Sequence, residues 1–196
     1  MVDPHGMTDQ ELVVETLRDS EFFRLLVERY QGKLLRYIQR ISRVSREEAE
    51  DILQESFISA YTHLQDVDPT IPFSSWIYRI VHNHTISAYR KHSVRPEGHQ
   101  YDMDDTILER IAGESDLVGD LDRGYLHEHM QRIIQQLDVR YREVIELKYV
   151  HDKSYDEIAD IMQKPPGTVA TLLSRAKKQI KKLLAQDKQF QARTHL

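Results

Sequence analysis

The chain has 196 residues, with 27 Lys+Arg against 32 Asp+Glu and a formal charge of −5. No run approaches the roughly 18 apolar residues of a membrane span, and no N-terminal stretch couples a basic region to an apolar core as a secretory signal does. Cysteine is absent, which excludes disulfides, thiolate metal sites and cysteine nucleophiles and leaves a soluble, cytoplasmic protein as the expectation.

Met1–Gly6 precede a second methionine, Met7, and read as a cloning remnant outside the fold. Thr8 with Glu11 three residues on is a capping box, opening a helix to Arg18 with Leu12, Val13 and Leu17 as its apolar residues. Ser20 is expected to cap the next segment. There Phe22, Leu25, Leu26, Tyr30, Leu34, Tyr37, Ile38 and Ile41 recur at three- and four-residue steps, the pattern of a helix of about six turns. Ser45 opens a third helix whose first turns hold Glu47, Glu48 and Glu50 at the positive dipole end. Ala49, Ile52, Leu53, Phe57, Ala60, Tyr61 and Leu64 are its apolar positions.

Gln65–Pro72 holds two prolines and two aspartates and reads as a loop. Phe73 to about His92 is a fourth helix, with Trp76, Ile77, Ile80, Val81 and Ile86 on its apolar side. Ser93–Asp122 carries nine acids and scattered apolar residues. It is expected to be an extended linker with a short helical turn near Ile107–Ile111. Tyr125–Leu137 and Tyr141–Val150 are amphipathic. Ser154 and Glu157 form another capping box, and Pro165-Pro-Gly-Thr168 is expected to turn the chain. Val169, Leu172, Leu173, Ala176, Ile180, Leu183 and Leu184 then follow at helical spacing. A short helix, a tight turn with glycine and a basic helix make the helix-turn-helix pattern.

The net charge hides its distribution. Residues 69–96 carry four bases and no acid, and residues 164–196 eight bases and one acid. Between them, residues 97–123 carry nine acids and two bases. Two basic blocks on predicted helices suggest polyanion contact at two places, although either block alone reads as a solvated face.

Three motifs together resemble the extracytoplasmic-function (ECF) sigma factors of the bacterial sigma-70 family. They are Glu48-Ala-Glu-Asp-Ile-Leu-Gln-Glu-Ser-Phe57, Pro72-Phe-Ser-Ser-Trp-Ile-Tyr-Arg-Ile-Val-His-Asn83, and Ser154-Tyr-Asp-Glu-Ile-Ala159 followed by Pro166-Gly-Thr-Val169 and Ser174-Arg-Ala176. The resemblance covers roughly Leu12–Leu184. It implies an all-α protein of two small helical domains joined by a flexible acidic linker. After residues 1–6, a region 2 type bundle would span residues 7–93 and the linker 94–123. A region 4 type helix-turn-helix would span 124–186, with a tail at 187–196. The implied function is promoter recognition for core RNA polymerase through the −10 and −35 elements, without enzymatic activity or cofactor. The implied partners are core RNA polymerase, promoter DNA and an anti-sigma factor, with no stable membrane insertion.

The resemblance assigns polymerase binding to Asp51, Gln54, Glu55, Phe57 and Ile58. Asp51, Gln54, Glu55 and Ile58 share a helix face. Alone the stretch reads as a solvated acidic helix with Phe57 mainly in the core; the family motif makes it a docking face able to pair with partner arginines. For the −10 element the residues are Asp68, Trp76, Arg79, Asn83, Tyr89, Arg90 and Lys91. Tyr78 and Tyr89 interleave with basic groups, which suits single-stranded DNA. Asn83 fits an adenine edge, whereas Trp76 fits a core position as well as a stacking wedge.

For the −35 element the residues are Ser154, Tyr155, Thr168, Ala170, Thr171, Ser174, Arg175 and Lys178. Arg175 suits guanine, and Lys177, Lys178, Lys181 and Lys182 add phosphate attraction or balance the helix dipole. The family commonly has basic residues where this chain has Ala170 and Leu172, so direct readout is expected to be thinner or aimed at a different sequence.

His82-Asn83-His84 is no metal motif, because adjacent helical residues point about 100° apart, and His127 and His129 lack ligand spacing. A stand-alone helix-turn-helix regulator, or a sigma-like decoy for an anti-sigma factor, would share part of this pattern. The first would need neither the Asp51–Phe57 motif nor the Trp76–Asn83 helix, and the second has no use for a basic recognition helix. The linker acids are expected to occupy basic polymerase surface, or to cover the basic blocks of the free chain. The latter predicts that neutralising them raises the DNA affinity of the free protein.

Overall fold

The computed structural model describes residues 6–42, 44–92, 107, 110–111, 130 and 132–186, with the side chains of 91 and 92 excepted. Most of Met1–Gly6, most of the expected linker, His127, His129 and the tail 187–196 lie outside the described residues. The chain divides into two compact units, and all regular structure among the described residues is helical.

The amino-terminal unit holds α1 (Asp9–Thr16), α2 (Phe23–Ser42), α3 (Arg46–Thr62) and α4 (Phe73–His92). The expected capping box at Thr8 forms, and Ser45, expected only as a helix start, makes a second one. Thr8 Oγ1 accepts from the Glu11 N–H at 3.3 Å while Glu11 Oε2 accepts from the Thr8 N–H at 2.7 Å; Ser45 and Glu48 repeat the exchange at 3.1 and 2.9 Å. These bonds hold the exposed Glu11 carboxyl below its ordinary range. Such caps are worth about 1 kcal/mol each.

The next segment starts differently from expectation. Asp19, not Ser20, is the cap, accepting from the Glu21 N–H at 3.0 Å over a 3₁₀ turn, Ser20–Phe22, that precedes α2. The aspartate acceptor is fixed two residues before the N–H it serves, which frees Ser20 to enter the turn. Leu17 is 57% exposed rather than buried; α1 is eight residues long and commits Leu12 and Thr16 to the core instead.

Helices α2, α3 and α4 pack against one another, and α1 against α2 and α4. An aromatic chain runs through this core, with ring centroids of Tyr30 and Phe73 5.6 Å apart, Phe73 and Trp76 5.7 Å, and Tyr37 and Tyr78 5.3 Å. Off-centre ring contacts of this kind add stabilisation beyond area burial. Buried hydroxyls of Thr16, Ser42, Ser56 and Thr85 each donate to the carbonyl four residues earlier, at 2.5–2.7 Å, so none is desolvated without a bond. Asp9 ties α1 to α2, taking Arg29 Nη1 at 2.5 Å and the Tyr30 hydroxyl. Burial and the Asp9 carboxylate push the Tyr30 hydroxyl well above its ordinary range, keeping it a donor.

The carboxy-terminal elements are a helical stretch at 132–136, α5 (Val139–Ile145), one π-helical turn (Glu146–Val150), α6 (Tyr155–Met162) and α7 (Pro166–Gln186). Residues 107 and 110–111 are helical, as expected for that short turn, but Ile111 is fully buried. An extended linker does not describe Ile111, whose neighbour Arg110 donates to Asp152 at 2.8 Å.

The reading of 141–150 as simply amphipathic needs correction. Arg142, Glu143 and Glu146 are 2%, 1% and 0% exposed. Arg142 and Glu143 are buried within α5 itself, and Glu146 opens the π turn, which inserts a residue and rotates the face that follows it. Arg142 Nη1 donates to the Gln135 carbonyl at 3.3 Å, and His151 Nε2 lies 3.4 Å from Glu146 Oε1.

The helix-turn-helix corner also departs from expectation. Pro166, Gly167 and Thr168 already belong to α7, Pro166 being tolerated in the first turn, where backbone N–H groups have no intrahelical acceptor. The left-handed residue of the turn is Gln163, at φ 52°, and no described glycine has positive φ. Lys164 N–H donates to the Ala159 carbonyl at 2.9 Å, which closes α6 with a Schellman arrangement. Glycine is the favoured residue there because it lacks the Cβ clash. Gln163→Gly is therefore expected to stabilise this corner by about 0.5–1 kcal/mol, read as a rise in thermal midpoint by circular dichroism.

Candidate polymerase and nucleic-acid interfaces

On α3, Asp51, Gln54 and Glu55 are exposed and Ile58 is 59% exposed. The helix brings these four together because its buried side is taken by Ala49, Ile52, Leu53, Ser56 and Ala60. Phe57 is half-buried rather than core. It floors a groove of about 480 Å³ lined by Phe23, Val27, Leu53, Ile58 and Tyr61, with Gln54 and Glu50 at the rim. Phe23 stands edge-on to Phe57 at 6.3 Å and to Tyr61 at 5.1 Å. Tyr61, expected in the core, is 48% exposed.

Sequence reasoning missed Phe23, Val27 and Tyr61 as part of this surface. Ile58 and Tyr61, three apart on a helix whose other apolar residues already form a complete stripe, were the available signal. The acidic face continues to α4, where His84 Nδ1 lies 3.6 Å from Glu55 Oε2.

The α4 residues divide. Asn83 and Arg90 are exposed, Arg79 and Tyr89 half-buried; the Lys91 side chain lies outside the described ones. Arg79 and Asn83 are one turn apart. Trp76 is 6% exposed against Phe73 and does not reach the surface. Tyr78, expected among the basic groups, is 2% exposed and packs edge-on against Tyr37. Position 78 follows Ile77 around the helix into the α2 contact, so only Tyr89 remains as an accessible ring there.

In the loop before α4, Asp68 is exposed. Its Oδ1 accepts from the Thr70 hydroxyl at 2.7 Å and the Thr70 N–H at 2.9 Å, and these bonds hold its carboxyl below the ordinary range.

In the helix-turn-helix, Ser154 Oγ accepts from the Glu157 N–H at 3.2 Å, and Glu157 Oε2 accepts from the Ser154 N–H at 2.9 Å. Burial acts to raise the Glu157 carboxyl, but bonds from Lys153, at 2.7 Å, and Ser154 outweigh it and the carboxyl sits below its ordinary range. Tyr155 is 43% exposed at the start of α6, with Lys148 Nζ 5.4 Å from its ring centroid.

Helix α7 buries Val169, Leu172, Leu173, Ala176, Ile180 and Leu184. It exposes Thr168, Ala170, Thr171, Ser174, Arg175 and Lys178 on the other side. Lys177 is drawn over the Tyr149 ring at 5.7 Å, leaving Lys178, Lys181 and Lys182 as the exposed lysines of the helix end.

Gly167 has helical backbone, and a Cβ added there would meet nothing within 4 Å. Neither conformation nor internal packing calls for glycine, which costs a helix up to about 1 kcal/mol against alanine. Gly167→Ala is expected to raise thermal stability while lowering affinity for duplex DNA, because the added methyl stands at the end of α7 that a groove would receive. Denaturation and gel-shift titration check the two halves.

An exposed acidic face beside an apolar groove on one helical unit, and a helix-turn-helix with a basic second helix, together have the make-up of a transcription factor. Residues 26–95 match Sigma-70 region 2, and residues 127–180 match Sigma-70, region 4. The chain is 34% identical to the ECF RNA polymerase sigma factor SigW of Bacillus subtilis over 85% of its length and 90% of the relative's. It is 31% identical to the ECF RNA polymerase sigma-E factor of Haemophilus influenzae, over 89% of its length and 94% of the relative's.

Two solved structures share the fold. CnrH, in complex with the cytosolic domain of CnrY, superposes with a TM-score of 0.63 at 24% identity, over 91% of this chain and 98% of that one. The sigma factor RpoE of Bartonella quintana, in complex with the anti-sigma factor NepR, superposes with a TM-score of 0.58 at 22% identity, over 85% and 98%. The chain belongs to the ECF RNA polymerase sigma factors. Such factors are non-enzymatic transcription initiation factors. Among the described residues, no helix is long and apolar enough to cross a membrane.

Proposed function

We propose that the chain binds core RNA polymerase through α3 and directs it to promoters by reading the −10 element with α4 and the −35 element with α7. One observation carries this reading: α3 leaves Asp51, Gln54, Glu55 and Ile58 exposed on one face beside an apolar groove. A stand-alone helix-turn-helix regulator has no need of that face. The carboxylates and amide suit arginines of the partner, and the apolar edge supplies the buried centre that interface affinity requires.

On α4, Asn83 takes an adenine edge, Arg79 and Arg90 hold phosphates, and Tyr89 gives a flat surface to an unstacked base. Burial assigns Trp76 and Tyr78 to support of that helix, and Asp68 shapes the loop ahead of it. On α7, Thr168, Ala170, Thr171, Ser174 and Arg175 face the major groove with Arg175 on guanine. Lys178, and Ser154 with Tyr155 at the start of α6, lie toward phosphate.

The place of action is the cytoplasm, and a protein of the anti-sigma class is the regulatory partner, as NepR is in its complex with RpoE. Run-off transcription with core polymerase on a genomic fragment library tests the reading. Initiation at a discrete set of fragments is expected; failure to bind core polymerase overturns it.

A further inference from the structure

Along the exposed side of α7 the chemistry changes after the second turn. Thr168, Ala170 and Thr171 are exposed and uncharged, and the first exposed cation is Arg175. The Thr171 hydroxyl already donates its proton to the Gly167 carbonyl at 2.9 Å, so toward an incoming group it is an acceptor only. Ala170 offers a methyl group and nothing else. At this level of the helix there is neither a cation nor a bidentate amide.

The four base edges of the major groove differ in what they ask of such a surface. Guanine presents two acceptors, N7 and O6, and Ala170 and Thr171 have no proton to give them. Adenine presents an acceptor and a donor side by side, and asks for a bidentate partner. Cytosine presents one donor, which the Thr171 oxygen could accept, but leaves the methyl groups without contact. Thymine presents a C5 methyl group, which small apolar side chains match. A short side chain at 170 also lets the helix sit close enough for methyl–methyl contact.

We propose that Ala170 and Thr171 read the C5 methyl of a thymine in the −35 element, one helical turn from the base pair met by Arg175. The inference rests on the proposed entry of α7 into the major groove.

The test uses the full chain with core polymerase. Bound fragments are selected from a library randomised across the −35 element, and each thymine in the winning sequence is then replaced singly by deoxyuridine, which removes only the methyl. One position is expected to lose about fourfold in affinity, the size of one buried methyl group. Thr171→Ser keeps the hydroxyl bond to Gly167 but lacks the methyl, and is expected to shrink the loss at that position. Ala170→Gly, with folding checked by circular dichroism, is expected to shrink it as well.

Unchanged affinity at every deoxyuridine, or an undiminished loss in the Ala170→Gly, Thr171→Ser double variant, overturns the proposal while leaving −35 binding intact. Selection of no −35 preference at all overturns the groove-entry reading and the proposal together. Selection of cytosine opposite Ala170, with 5-methylcytosine giving no gain, overturns the methyl contact alone.

Discussion

Trp76→Ala should destabilise the amino-terminal unit by about 3–5 kcal/mol, the usual result of truncating a buried tryptophan. Trp76 is 6% exposed, its ring lies 5.7 Å from Phe73, and Phe73 in turn meets Tyr30 on α2. Truncation would open a cavity where α2 and α4 meet, and a loss of that size is a large share of a small domain's total stability. Urea denaturation followed by circular dichroism measures it, and Trp76→Phe should recover part of the loss. The prediction separates a core role from that of a wedge inserted between promoter bases. A Trp76→Ala chain with an unchanged denaturation midpoint and a defect confined to promoter opening would refute the core assignment.

The second large effect is expected at the other side of the same unit. Ile58 is 59% exposed beside Phe57 and Tyr61, so Ile58→Asp should leave folding intact. It places a charge in what would become the dry centre of the contact with polymerase. Central residues of such interfaces are commonly worth 2 kcal/mol or more, which corresponds to roughly 30-fold in affinity. Binding of labelled core polymerase should weaken by at least about that factor, with Glu47→Ala, on an exposed position of the first turn, close to wild type. Equal binding by Ile58→Asp would remove this groove from the polymerase surface.

The two effects differ because the same α-helical unit presents two kinds of apolar residue, and the sequence distinguishes them unevenly. Helix α4 was legible from end to end, Phe73 to His92, because prolines precede it and no acid interrupts its basic stretch. The two capping boxes at Thr8 and Ser154 were legible as well, since each needs only a hydroxyl and a glutamate three residues apart.

Burial was less legible at single positions. Leu17 and Tyr61 are exposed and Tyr78 buried, and periodicity does not say which of several apolar neighbours faces a partner helix. Arg142, Glu143 and Glu146 lie in a stretch read only as amphipathic, where charge normally means solvent, and their burial has no simple sequence mark. Gln163 escaped notice for the opposite reason, since Gly167 stood nearby as the expected turn residue and is instead helical.

Of the candidate sites, the shared face of Asp51, Gln54, Glu55 and Ile58 and the outward positions of α7 follow from helical spacing, while their assignment as docking sites came from the family resemblance. The groove beside α3 does not follow from spacing, because it takes Phe23 and Val27 from another helix.

The chain contains a single tryptophan, and it sits in the interior of the amino-terminal unit, near Phe73. Indole emission excited at the red edge of its absorption is therefore a built-in optical reporter of that unit alone. The helix-turn-helix contributes tyrosine signal only, at Tyr141, Tyr149 and Tyr155 among the described residues. Unfolding of one unit is thus spectrally separable from unfolding of the other without any label. A shift of Trp76 emission in the free chain therefore reports repacking around Phe73, inside the bundle, and not a change at the helix-turn-helix.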